Sequence, residues 1–214
     1  MKLLKHLYKK ELERLGHKEG KDEIYVTDLL NCSNFFHLRK QLEIPLKLEE
    51  MVNDILRSHA TTGSIFHEGI QKILKEAVED VDVELSVEKV FLVDGKTIKL
   101  KGRIDAYIKD ENLPVEIKFT TNPQNLPRQE HLIQLKAYMN MVNSDKGLLI
   151  YITPTGVRYF EVNNPLSDRD LINQIKIILE NKQIKQEQCK FCPFKKICQY
   201  TTTYSRDLLT YLQP

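Results

Sequence analysis

The 214-residue chain is predicted to be a mixed α/β protein, a central mixed sheet flanked by helices, and three observations carry that prediction. Apolar residues change period along the chain in the order helix, strands, helix, strands, helix. Asp94-Gly95 joins two alternating runs, which is a strong short-range hairpin signal. A hydrophobic content of 41% over this length can bury one full core, so a single domain is the simplest organisation. Within it, 1–80 forms a helical N-terminal region, 81–165 a sheet with one helix, and 166–214 a last helix with a cysteine loop.

Each element follows from local pattern. Lys2 to Leu15 reads as a helix with Leu4, Leu7, Tyr8, Leu12 and Leu15 on one side and Gly16 as its stop. After Ile24-Tyr25-Val26, Thr27-Asp28 caps a helical region through Gln41, and Pro45 interrupts it. A stretch from about Leu48 leads to a helix ending near Glu79, with Phe66, Ile70, Ile73, Leu74 and Ala77 as its buried face. Val81, Val83, Leu85 and Val87 then alternate, and Phe91-Leu92-Val93 meets the hairpin. Lys101 to Ile108 and Val115 to Phe119 are strands separated by the polar turn from Lys109 to Pro114. Pro127 to Val142 is helical, with Leu132, Leu135, Met139 and Val142 inward. Gly147 to Thr153 and Val157 to Val162 are strands around Pro154-Thr155-Gly156, and Ser167-Asp168 opens a last helix bearing Leu171, Ile172, Ile175, Ile178 and Leu179. No repeat, low-complexity tract or bilayer-length apolar run occurs, and Met1 to Leu15 lacks the uninterrupted apolar core of a signal peptide. A cytoplasmic protein without membrane association is therefore expected.

The strand parity around Asp105 points to chemistry. Side chains alternate with a period of two, so Arg103, Asp105 and Tyr107 share one face, as do Glu116 and Lys118 on the next strand. If Ile108 pairs with Val115, then Asp105 faces Lys118 and Tyr107 faces Glu116. Asp105 and Glu116 are then diagonal neighbours, roughly 7–8 Å apart at the backbone and within reach of one cation. Hard oxygen ligands favour Mg²⁺ or Mn²⁺. Two carboxylates and a lysine in this arrangement suit the activation of water against a phosphate. Gln134 and Tyr138 stand one helical turn apart beside the apolar stripe and can present polar tips to the same place. His67 lies one position off the apolar stripe of its helix, where a lone histidine is more often a boundary residue; beside two carboxylates it is a candidate third protein ligand, whose nitrogen would tilt preference toward Mn²⁺.

Four cysteines form the second constellation: Cys32, then Cys189, Cys192 and Cys198 as Cys-x2-Cys-x5-Cys. A loop this tight suits a metal centre better than disulfides between neighbours, and both a tetrahedral zinc site and an iron–sulfur cluster satisfy the spacing.

Taken in order, these pieces resemble the RecB-type exonucleases of CRISPR adaptation, a family of the PD-(D/E)xK nuclease superfamily whose members carry a four-cysteine [4Fe–4S] cluster. The resemblance runs from about Cys32 to Cys198 through Gly63, His67, Gly102 to Asp105, Glu116-Ile117-Lys118, Gln134 to Tyr138, and the closing cysteine trio. It implies a restriction-endonuclease-like core in which His67, Asp105, Glu116 and the backbone carbonyl of Ile117 bind a catalytic Mn²⁺ or Mg²⁺. Lys118 would activate or orient the attacking water. It also implies a [4Fe–4S] cluster, and not zinc, on Cys32, Cys189, Cys192 and Cys198, joining the N-terminal region to the C-terminal segment. Relatives commonly place proline after the first cysteine, where this chain has Ser33, and the superfamily's Pro-Asp pair is here Ile104-Asp105.

The implied activity is a DNA exonuclease that trims single strands or overhangs for spacer acquisition, with the CRISPR integrase complex as a partner and a homo-oligomer as a compatible state. Two competing readings remain: a non-catalytic iron–sulfur DNA-binding or assembly subunit, and a recombination, repair or viral nuclease of the same superfamily. Charge excludes one route to DNA. With 32 basic and 30 acidic residues the net charge is only +2, so affinity must come from a local patch. Lys2, Lys5, Lys9, Lys10 and Arg14 are one candidate, and Lys182, Lys185, Lys190, Lys195 and Lys196 another.

Overall fold

The computed structural model describes residues 20, 22–41, 59–192, 194 and 198–200, with the side chains at 59–65, 67, 186, 190 and 191 outside the description. The expected first helix, the interruption at Pro45, the stretch from Leu48 and the basic patch from Lys2 to Arg14 lie outside the described residues, as do Lys195 and Lys196.

The mixed α/β architecture is present. Six strands form one sheet: β1 (Glu23–Tyr25), β2 (Val81–Val93), β3 (Lys96–Ile108), β4 (Leu113–Phe119), β5 (Lys146–Thr153) and β6 (Gly156–Asn163). The helices are α1 (Ser33–Gln41), α2 (His59–Ala77), α3 (Gln129–Met141) and α4 (Asp168–Leu179). Asp94 and Gly95, with φ of 49° and 79°, turn β2 into β3 as a two-residue hairpin of the I′ kind. Ser167 caps α4, accepting from Asp170 N–H while the Asp170 carboxylate accepts from Ser167 N–H, so two orphan donors are satisfied at once.

Helix α2 covers one face of the sheet through Ile70 and Leu74, with Val78 just past its end, and α3 and α4 cover the other. The buried line on α2 is rotated from the expected one. Phe66 is 43% exposed, Ile73 57%, and Ala77 is exposed too. Gln71 takes the inward place, because its amide finds partners there. The helical region expected from Thr27 to Gln41 is likewise split into a 3₁₀ turn, Val26–Leu30, and α1. The split at Asn31-Cys32 frees backbone groups, and the segment after α4 takes them up. Lys185 Nζ and Gln188 Nε2 donate to the Leu30 carbonyl, Gln183 Nε2 donates to that of Asn31, and Gln188 Oε1 accepts the Cys32 N–H at 3.0 Å.

β3 pairs with β2 on one edge from Lys96 to Ile108 with a break at Asp105, whereas its other edge is shared. β1 runs parallel to residues 99–101 and β4 antiparallel to residues 106–108. Gly102 to Asp105 stand between the two ladders.

The strands also exchange faces at this point. Ile98, Leu100 and Ile104 pack with Ala137, Tyr138 and Leu171, yet Ala106 and Ile108, of the same parity, pack with Val115, Ile117 and the α2 side. β2 does the same, Leu85 and Val87 going with the first group and Val81 and Val83 with the second. The exchange falls at Glu84, whose φ of 55° is left-handed and which the register sets opposite Asp105. A non-glycine residue held there costs on the order of 1–3 kcal/mol, so its surroundings must hold it in place.

Candidate active site

The gap in the β3 edge is the point where Asp105, Glu116, Lys118, Gln134 and Tyr138 meet. β3 and β4 pair as Ala106 with Val115, Tyr107 with Pro114 and Ile108 with Leu113. This register is two residues tighter than expected. The ladder continues to Leu113, and Asn112, at φ 48°, closes a shorter turn with its N–H bonded to the Lys109 carbonyl. A shift of two preserves parity, so Asp105 falls opposite Glu116 directly, and not opposite Lys118.

Beyond Ala106 the backbone ladder stops and side chains replace it. The Ile117 N–H donates to Asp105 Oδ2 at 2.7 Å, so the carboxylate lies in the fork between the strands. On the other side of the gap, the Tyr138 hydroxyl accepts from the backbone N–H of Arg103. Its ring lies over Gly102, where an added Cβ would sit 2.4 Å from Tyr138 Cε1. Gly102 is therefore required by a close approach. Burial pushes the Tyr138 hydroxyl well above the ordinary tyrosine range, and Glu116 and Asp105 add to the shift, so it stays protonated.

Glu116 is 1% exposed, and its Oε1 takes the Lys118 ammonium at 2.6 Å. Lys118 Nζ also donates to Gln134 Oε1 at 2.9 Å, and Gln134 Nε2 donates to Tyr138 Oη at 3.4 Å. Burial alone would pull Lys118 down, but the charges of Glu116 and Asp105 outweigh it and hold the ammonium above the ordinary lysine range. Gln134 and Tyr138 are buried, with their polar tips turned to Lys118 and to each other. They fill the fork because the strands part there.

His67 belongs to α2, but its side chain lies outside the described residues. Its position is one helical turn before Gln71. Among the described residues, no three His, Cys, Asp or Glu side chains converge on a single-ion position. Asp105 and Glu116 are the described carboxylates of the expected set. Ile117, between Glu116 and Lys118, is held by its N–H bond to Asp105.

Sequence reasoning missed Gln71. Its Nε2 donates to the Asp105 carbonyl at 2.8 Å and to Glu84 Oε1 at 2.7 Å. The available signal was its place four residues after His67. His131 was missed as well. It lies behind Lys118, with Nδ1 2.7 Å from Tyr151 Oη, and burial together with the Lys118 and Arg128 charges pushes it down to about 3.

The four thiols come together too. Cys32, Cys189, Cys192 and Cys198 line one cavity of about 540 Å³ and form no disulfide. Burial pushes the Cys189 and Cys192 thiols up, and the neighbouring sulfurs push in the same direction, so ionising them together calls for a bound cation. Asn34 Nδ2 donates to Cys198 Sγ at 3.1 Å.

No family model matches the chain. The CRISPR-associated exonuclease Cas4 of Saccharolobus solfataricus is 33% identical over 198 residues, 90% of this chain and 95% of that protein. The crystal structure of SSO0001 superposes with a TM-score of 0.82 at 30% identity, covering 94% of this chain and 98% of that one.

Proposed function

Because the chain belongs to the family of the CRISPR-associated exonuclease Cas4, with its PD-(D/E)xK nuclease fold, we propose that it is a Mn²⁺- or Mg²⁺-dependent deoxyribonuclease. It acts as an exonuclease on single-stranded DNA or overhangs and prepares fragments for CRISPR spacer acquisition. One observation carries the reading: the β3 edge opens at Gly102 to Asp105, and the Asp105 carboxylate enters that opening beside Glu116 and Lys118.

Asp105, Glu116, the Ile117 carbonyl and His67 would hold the cation, an oxygen-rich set that fits a hard divalent ion. The bound ion lowers the pKa of water, polarises a phosphoryl oxygen and offsets transition-state charge. Lys118, held between Glu116 and Gln134, would activate or orient the attacking water beside the phosphate. Tyr138, protonated and buried, keeps the fork open at Gly102.

Cys32, Cys189, Cys192 and Cys198 would hold a [4Fe–4S] cluster. Four thiols around one cavity supply the donor set, and the family resemblance supports iron–sulfur over zinc. The cluster would fasten 1–80 to 166–214, making one nuclease domain. The cross-links between residues 30–33 and 183–188 support this role. No described helix is long and apolar enough to cross a membrane. A cytoplasmic location, an integrase partner and a homo-oligomeric state complete the proposal.

The test is anaerobic purification, a visible spectrum with iron analysis, and digestion of end-labelled single strands with and without Mn²⁺. We expect four irons per chain and stepwise shortening that needs the metal. Undiminished cutting by Asp105→Asn at saturating Mn²⁺ would falsify the site.

A further inference from the structure

We propose that Gln71 is a positioning residue for Asp105, and this rests on the nuclease reading above. One nitrogen of Gln71 serves two acceptors, the Asp105 carbonyl at 2.8 Å and Glu84 Oε1 at 2.7 Å. Neither partner can donate, so both amide hydrogens are used and the orientation of the amide is settled. The side chain is only 7% exposed, on a helix face otherwise apolar against the sheet.

Both partners sit at the point where β2 and β3 exchange faces. Glu84 holds its left-handed conformation opposite Asp105, and its second oxygen takes Arg103 Nε at 2.6 Å. Arg103 in turn gives its backbone N–H to Tyr138. Gln71 thus bridges the left-handed residue of β2 to the main chain of Asp105. Fixing the main chain at 105 aims the carboxylate along the strand edge to the Ile117 N–H, in place of the face that alternation alone would give it. The same bridge ties Asp105 to α2 one turn after position 67.

The test compares wild type, Gln71→Met, Gln71→Glu and the double variant Gln71→Glu/Glu84→Gln, each as the anaerobically purified full chain. Turnover and KM are read on single-stranded DNA, and Mn²⁺ binding is read by calorimetry without DNA. Gln71→Met is expected to lower kcat about tenfold or more with KM for DNA within about twofold, and to weaken Mn²⁺ binding, at unchanged iron content and a preserved melting transition. Gln71→Glu should behave alike. The double variant restores a 71–84 hydrogen bond but gives the Asp105 carbonyl no donor, so it should stay slow. Wild-type turnover in Gln71→Met, recovery in the double variant, or a loss confined to KM overturns the proposal. Should Gln71→Met fail to fold, the near-isosteric Gln71→Glu and its double variant decide by the same criteria. A wild-type chain that neither binds Mn²⁺ nor cuts DNA sinks the nuclease reading itself and this inference with it.

Discussion

The strand fork and the cysteine crevice both interrupt regular backbone pairing, but they repair the interruption differently. In the fork the repairing groups belong to the proposed site: Asp105 accepts the Ile117 N–H, and Tyr138 accepts that of Arg103. In the crevice the repair falls to Gln183, Lys185 and Gln188, while the cysteines are separate residues. Chemistry and stability are therefore merged at the fork and separable at the crevice. Substitutions at four positions can break or sharpen that contrast.

The largest effect is expected at Asp105. Asp105→Asn keeps an oxygen for the Ile117 N–H but removes the charge, so cleavage should fall on the order of a thousandfold with little loss of stability. Asp105→Ala should be equally inactive and also less stable by about 1–3 kcal/mol, because a buried donor is left unsatisfied. Equal denaturation midpoints for the two variants would separate chemistry from stability at the fork after all.

Gly102→Ala comes next. Its methyl would sit 2.4 Å from Tyr138 Cε1 and 3.2 Å from Val26 Cγ2, so the ring must leave the fork. Overpacking of this kind costs about 1–3 kcal/mol, read as a melting temperature lowered by about 2–4 °C per kcal/mol, together with slower cleavage. A thermally neutral variant would mean that the tyrosine can move freely.

His131 adds a pH dependence on the fork side. It is held near 3 when folded and returns to about 6.5 when unfolded, so the unfolded chain binds the extra proton in between. Stability is fully present above about 6.5 and is lost as pH falls toward 3, at up to about 1.4 kcal/mol per unit. Urea titrations at successive pH values should show this slope in wild type and a flatter one in His131→Gln.

Gln188→Ala should have the smallest effect. It removes bonds to Cys32 N–H and the Leu30 carbonyl, costing about 1 kcal/mol, and should leave the cleavage rate per folded molecule unchanged. A large drop in rate would show that the crevice, too, merges stitching with function.

Much of this was legible in the chain. The Asp94-Gly95 hairpin, the opening of the last helix at Ser167-Asp168 and the alternation of β4 are encoded within a few residues, and the structure follows them. Illegible parts depend on distant partners. The split at Asn31-Cys32 is held by side chains more than 150 residues away. Gln71 is missing from the apolar stripe read for its helix, yet it is buried because Glu84 and Asp105 accept from its amide. Uniform alternation through Asp105 fails because a left-handed Glu84 on the neighbouring strand turns both strands over.

The sequence by itself determined which residue types are available, which segments are helix or strand, and that Asp105, Glu116 and Lys118 stand on neighbouring strands, since these rest on periods of two and 3.6 carried by neighbours. Only the tertiary structure decided the register of β3 on β4, the opening at Gly102 to Asp105 and the gathering of four thiols. Each of those is settled by hydrogen bonds and packing between residues far apart in the chain, which no local period can record.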